Sequence, residues 1–219
     1  MTSNLSIELN QLIVRPGQSV LLQNVSWQQF ENTLLELGDV RSSRVAYYDG
    51  ILEIMVPLPE HEYFKEAIGD LIKDLAEELQ LDYESFGSTT WKREKSLSGA
   101  EPDNCFYIQN LPAVEGKLNI DLACDPPPDL VLEIDITSKS LNRLPIYARL
   151  GVAEVWRYDK KQLRIYHLVD NSYIETQASL AFPNFPVKSI LTFVQRHLGS
   201  NRRALRLAFR AWVRGGGQP

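Results

Sequence analysis

Asp129-Leu-Val-Leu-Glu-Ile-Asp-Ile-Thr-Ser138 is the stretch on which the fold turns. Val131, Leu132, Ile134 and Ile136 favour a strand, and the run is short for a helix. Pro126, Pro127 and Pro128 impose an extended entry. With a side-chain period of two, Asp129, Val131, Glu133 and Asp135 share one face, and Leu130, Leu132, Ile134 and Ile136 share the other. One face is wholly apolar and the other carries three carboxylates. Two arrangements satisfy the physics. The strand lies at a sheet edge with its acids in water or held by Lys and Arg, or the acids are buried and a hard cation takes their oxygens.

The rest of the chain sets the bounds. It has 219 residues, 44% hydrophobic and 23% charged, with a net charge of −5. That is ordinary globular composition, and the overall charge excludes a general polyanion binder while leaving room for a local basic patch. Cys105 and Cys124 have no metal-type spacing and form no secreted disulfide scaffold. No apolar run is long enough to span a membrane, and the N-terminus has no signal-peptide pattern. A cytoplasmic protein with no membrane partner is expected.

Outward from the acidic strand, the expected organisation is a lead-in over 1–24, a core domain over 25–198 and a basic tail over 199–219. Ser26 and Gln29 form a capping box for a helix that ends at Gly38. Val45 to Val56 is a hairpin about Asp49-Gly50. A long helix follows from about Glu60 to Gln80, with Phe64, Ile68, Leu71, Ile72, Leu75 and Leu79 as its buried stripe. Two short strands flank a turn at Gly87-Ser88, a polar link runs from Lys95 to Ala100, and Glu101 to Ile108 is a further strand. The connection over 109–125 includes a short strand near Leu118 to Leu122. Ser138 or Ser140 caps a helix running to Leu150 and Gly151. Glu154–Tyr158 and Leu163–Leu168 pair about a turn, with a short strand at Tyr173 to Thr176. The fold class is mixed α/β (α+β), a sheet flanked by helices.

In the tail, Arg202, Arg206, Arg210 and Arg214 share one helix face, with Leu205, Phe209, Trp212 and Val213 opposite. An amphipathic helix so built docks on its own domain or on a second copy, or it binds phosphate or a membrane surface. Tyr147 and Trp156 are read as packing a helix onto the sheet.

Pro102-Asp103 followed by Glu133-Ile-Asp135 resembles the PD-(D/E)XK nuclease superfamily. Tyr48-Asp-Gly-x-Leu-Glu53, His61, Glu101-Pro-Asp103, Pro128-Asp-Leu-Val-Leu-Glu133 and Ile146-Tyr-Ala-Arg-Leu-Gly-Val-Ala-Glu-Val-Trp156 together resemble, more specifically, the Uma-two (Uma2) family of restriction-endonuclease-like proteins over about residues 25–175. The resemblance implies a restriction-endonuclease-like mixed sheet with helices on both faces. It also implies a Mg²⁺- or Mn²⁺-dependent DNA endonuclease.

Carried over, Asp103 and Glu133 are the metal carboxylates, with the backbone carbonyl of Ile134 beside them and Glu62, or less readily Glu66, as a further acid. His61 and Lys92 are candidate substrate contacts. The chain departs from the superfamily at Asp135, where the catalytic lysine stands. The cationic role passes to Arg143, in Asn142-Arg-Leu-Pro-Ile-Tyr147, or to Lys139. Arginine stabilises charge but is no base. The alternative is a non-catalytic nucleic-acid-binding or dimerising module that keeps the fold. A homodimer is expected of an enzyme that cuts both strands symmetrically.

Overall fold

The capping box at Ser26 forms as expected. Gln29 N donates to Ser26 Oγ at 3.2 Å and Ser26 N donates to Gln29 Oε1 at 2.7 Å. The structure, a computed structural model, describes residues 9–38, 41–136 and 141–217. After a short 3₁₀ turn at Leu9–Gln11 come β1 (Ser19–Leu22), α1 (Trp27–Leu37), β2 (Arg44–Tyr48), β3 (Ile51–Met55) and α2 (Pro59–Glu78). Then follow β4 (Glu84–Ser85), β5 (Trp91–Arg93), β6 (Ser98–Ala100), β7 (Asn104–Tyr107), α3 (Leu111–Val114), β8 (Leu130–Ile134) and α4 (Leu144–Leu150). The chain closes with β9 (Glu154–Tyr158), β10 (Leu163–Val169), β11 (Ser172–Thr176), α5 (Ser189–Arg196) and α6 (Arg202–Arg214).

The strands form two sheets. One is five-stranded and antiparallel, in the order β1-β3-β2-β6-β5. The other is six-stranded and mixed, in the order β11-β10-β9-β8-β7-β4, with β8 and β9 parallel. β8 sits between β7 and β9, so it is no edge strand and its acids are not simply turned to water. Leu130, Leu132 and Ile134 pack against α2, α5 and α6 in the main core, while Val131 enters a second core under α4. α1 covers the five-stranded sheet through Phe30, against Val45, Tyr47, Leu52 and Ile54. The chain passes from one sheet to the other across Glu101 to Asp103.

Several expectations are corrected. Residues 19–22 are not a loose lead-in but the strand β1, paired along β3. The supposed polar link over 95–100 contains β6, buried between β2 and β5. Ser-Gly-Ala has no apolar signature, and the reason it fits is space: a Cβ on Gly99 would lie 2.9 Å from Phe30 Cζ. No strand forms near Leu118 to Leu122; that segment is turns, with Leu118 fully solvated. Leu79 is exposed just beyond α2 rather than part of its stripe. Trp156 packs on Phe182 in the main core, on the side of the sheet away from α4. α4 begins at Leu144, with Pro145 in its first turn, and closes on Gly151 in the left-handed region. The proposed caps Ser138 and Ser140 lie outside the described residues.

α6 settles the reading of the tail. Leu205, Phe209 and Val213 enter the main core, and the arginine row lies along α2. Arg206 and Arg210 both bond Asp74, at 2.7 Å, and Arg214 bonds Glu78 at 2.7 Å. Arg202 approaches Asp70 at 3.6 Å. The docked-helix reading therefore holds, and these arginines are engaged by acids rather than presented to phosphate or lipid. Asp74 is fully buried while its two partners are part-exposed. Removing both arginines strands a desolvated carboxylate. The double variant Arg206→Ala/Arg210→Ala should lose about 1–3 kcal/mol in urea unfolding at neutral pH, more than Asp74→Asn, whose arginines can rehydrate. Equal losses would contradict this asymmetry.

Candidate active site

Asp103 and Glu133 meet because β7 and β8 are antiparallel neighbours. Asn104 faces Leu132 and Cys105 faces Val131, so one step further places Asp103 opposite Glu133. Both are 2% exposed. Asp103 Oδ2 accepts from Ile134 N at 2.6 Å. His61, fully buried in the first turn of α2, brings Nε2 to 3.2 Å from Asp103 Oδ1 and Nδ1 to 3.5 Å from Glu62 Oε1. α2 can come this close to β7 because it carries Gly69, where a Cβ would lie 2.8 Å from Asn104 Nδ2. Acids in the first turn of α2, Glu60 and Glu62, also suit the positive end of the helix dipole.

α4 closes the site from the other side. Tyr147 donates its hydroxyl to Glu133 Oε1. Burial, then the Glu133 charge, raises the Tyr147 pKa well above the ordinary tyrosine value, so it stays a donor. Arg143, 6% exposed, donates to Glu53 Oε2 at 2.8 Å and to Val45 O at 3.3 Å. Burial opposes its charge, but Glu133, Glu53, Tyr147 and Asp103 outweigh it and hold the guanidinium protonated. Glu53 is itself fully buried, and its Oε1 accepts from Leu141 N at 3.2 Å. It points into the site because Leu52 and Ile54, its neighbours on β3, face α1.

The sequence-derived candidates thus separate. Asp103, Glu133 and Arg143 converge, with His61 and Glu62 alongside. Asp135 lies just past β8, bonded to Arg157 of β9 at 2.5 Å. Glu66 is largely exposed and 3.7 Å from Lys65. Lys92 stands apart, with Nζ 2.8 Å from Glu31 on α1. Lys139 lies outside the described residues. Sequence reasoning missed Glu53 and Tyr147 as members of the group. Glu53 carried the available signal, an acid flanked by Leu52 and Ile54 in an apolar strand, the same pattern that marked Glu133.

The donors are hard carboxylate oxygens, the chemistry that Mg²⁺ or Mn²⁺ takes. Among the described residues, no three His, Cys, Asp or Glu are arranged to hold a metal ion. Two carboxylates nevertheless fit a cation that keeps several waters and completes its shell with phosphate oxygens. Nor is any helix of the described residues long and apolar enough to cross a membrane.

The Glu62 pKa falls from 4.5 to about 2, first through the His61 imidazole, 3.5 Å away, and, against burial, through Lys65 and Arg44. A depressed carboxylate adds stability above its unfolded value and loses it as pH falls through the folded value. The stability difference between wild type and Glu62→Gln should therefore be constant above about pH 4.5 and shrink toward pH 2. Urea midpoints across that range check it, and a difference independent of pH would contradict it.

The comparisons with known proteins come to bear on this geometry. A family model, Uma2, described as "Putative restriction endonuclease", matches residues 27–195. Among solved structures, a "putative nuclease belonging to DUF820" from Anabaena variabilis ATCC 29413 matches with 17% identity and a TM-score of 0.47. The match covers 80% of this chain and 96% of that one. No curated protein matches.

Proposed function

Because the chain belongs to the Uma2 family, we propose that it is a divalent-metal-dependent endonuclease that hydrolyses phosphodiester bonds in DNA. The observation that carries this reading is the buried Asp103–Glu133 pair on adjacent strands with the Arg143 guanidinium beside it. Asp103 and Glu133 would hold Mg²⁺ or Mn²⁺. A cation bound there lowers the pKa of a water and draws charge from the scissile phosphate.

The chain's own groups then have separate tasks. Ile134 N and His61 fix the two oxygens of Asp103. Tyr147 fixes Glu133 through its hydroxyl. Arg143 supplies a permanent positive charge where phosphorane charge develops. Since it stays protonated, the proton of the attacking water must pass to another group. Lys139, in its neutral amine form, is our candidate for that step. Asp135, in the place of the superfamily lysine, serves instead to hold Arg157. We take the working unit to be a homodimer, as symmetric double-strand cutting requires two sites.

One observation favours the non-catalytic reading: Arg143, the cation beside Glu133 and Asp103, is already committed to an ion pair with Glu53 at 2.8 Å. Supercoiled plasmid incubated with Mg²⁺ or Mn²⁺ separates the two. Nicking or linearisation that Asp103→Asn and Glu133→Gln each abolish is the expected result, and Tyr147→Phe, which acts through Glu133, should cost about 10- to 100-fold. Cleavage that survives both carboxylate substitutions would overturn the assignment, and no cleavage by wild type would favour the binding module.

A further inference from the structure

Beside the acidic pair lies a second feature that the proposed chemistry does not use. A cleft of about 700 Å³ opens between β2, the turn joining β4 to β5, and Glu101. Its charged walls are Arg41 and Arg44, and its polar rim is Ser88, Thr89 and Thr90.

The two arginines are held differently. Arg41 is engaged: it donates to Gly38 O, to Thr90 Oγ1 and to Glu101. Glu101 is saturated in turn, accepting also from Thr90 Oγ1 at 2.6 Å and from Val45 N at 3.0 Å. Among the described residues, the side chain of Arg44 has only Glu62 Oε1, at 3.8 Å, which is beyond hydrogen-bond reach. Its side chain is 13% exposed, and its Nε is buried with no hydrogen-bond partner among the described residues.

A guanidinium carries five donors, and withdrawing it from water without acceptors is costly. Its planar fork matches two oxygens of a phosphate. Position adds to the argument. Arg44 reaches Asp103 through Glu62 and His61, in steps of 3.8, 3.5 and 3.2 Å. Arg44 also shares its sheet face with Glu53, since β2 and β3 pair Arg44 with Met55 and Ala46 with Glu53. A chain of net charge −5 needs such a local cation to seat a polyanion. A lone anion would gain little beside Glu62 and Glu101, whereas a strand is also anchored at its other phosphates.

We infer that this cleft seats a backbone phosphate of the DNA strand next to the scissile one, with Arg44 as the contact and Ser88 at its rim. The inference rests on the nuclease reading, but its test reads binding and not cleavage.

Full-length protein is titrated against a short fluorescein-labelled DNA duplex in EDTA, and anisotropy is followed over a range of NaCl. Failure to cut DNA elsewhere would then count against the nuclease reading alone. Arg44→Gln should weaken binding and flatten the slope of log K against log salt by about 0.9, the value of one phosphate contact. Arg44→Lys should keep most of the slope. Ser88→Glu, which leaves Arg44 and the fold in place, should also weaken binding, and it decides the matter should Arg44→Gln fail to fold. Slopes and affinities equal to wild type in these variants, or no salt-dependent binding by wild type, would overturn the inference. So would calorimetric binding of inorganic phosphate that Ser88→Glu abolishes while the DNA slopes stay unchanged, since the cleft would then belong to a free anion.

Discussion

Asp103 and Glu133 face each other at the end of an apolar sheet, almost wholly removed from water. Two like charges so placed require compensation from every side. The compensating groups come from three elements: the amide of Ile134 on β8, His61 on α2, and Tyr147 with Arg143 at α4. Arg143 in turn draws in Glu53 from the β2–β3 hairpin. The site is therefore where the two sheets and two helices are tied together, and the acids bind the layers as well as any ligand.

The same balance governs what lies farther away. α2 must bury His61 at one end and Asp74 near the other, and Asp74 is satisfied by the arginines of α6. An arginine row that looks like a polyanion surface in one dimension is, in the fold, the charge complement of α2. The helix that positions His61 is held from behind by the last helix of the chain. A change at α6 should thus reach the site through the seating of α2.

What was readable in the sequence divides by the range of the forces involved. The capping box at Ser26 and the Asp49-Gly50 turn, both residues at positive φ, are fixed by contacts a few residues apart. Asp103 and Glu133 stood out because acids in apolar strands are conspicuous. β6 was hidden because Ser98, Gly99 and Ala100 are chosen for smallness against Phe30, which only the tertiary structure shows. β1 was hidden because a short edge strand gains its identity from β3. Tyr147 read as packing because nothing local tells a buried phenol from one that bonds a carboxylate. Lys92 read as a possible substrate contact, yet it is spent on Glu31 of α1, a partner 61 residues away that no local pattern announces.

The central claim is that the buried acidic pair is a hard-cation site. Titrating Mn²⁺ into the full-length protein by calorimetry, with Glu133→Gln alongside, tests it most directly. The account predicts saturable binding by the wild type that is lost in the variant, whose neutral amide keeps the shape of the site but not its charge. Binding of equal affinity by both proteins, or by neither, would contradict it.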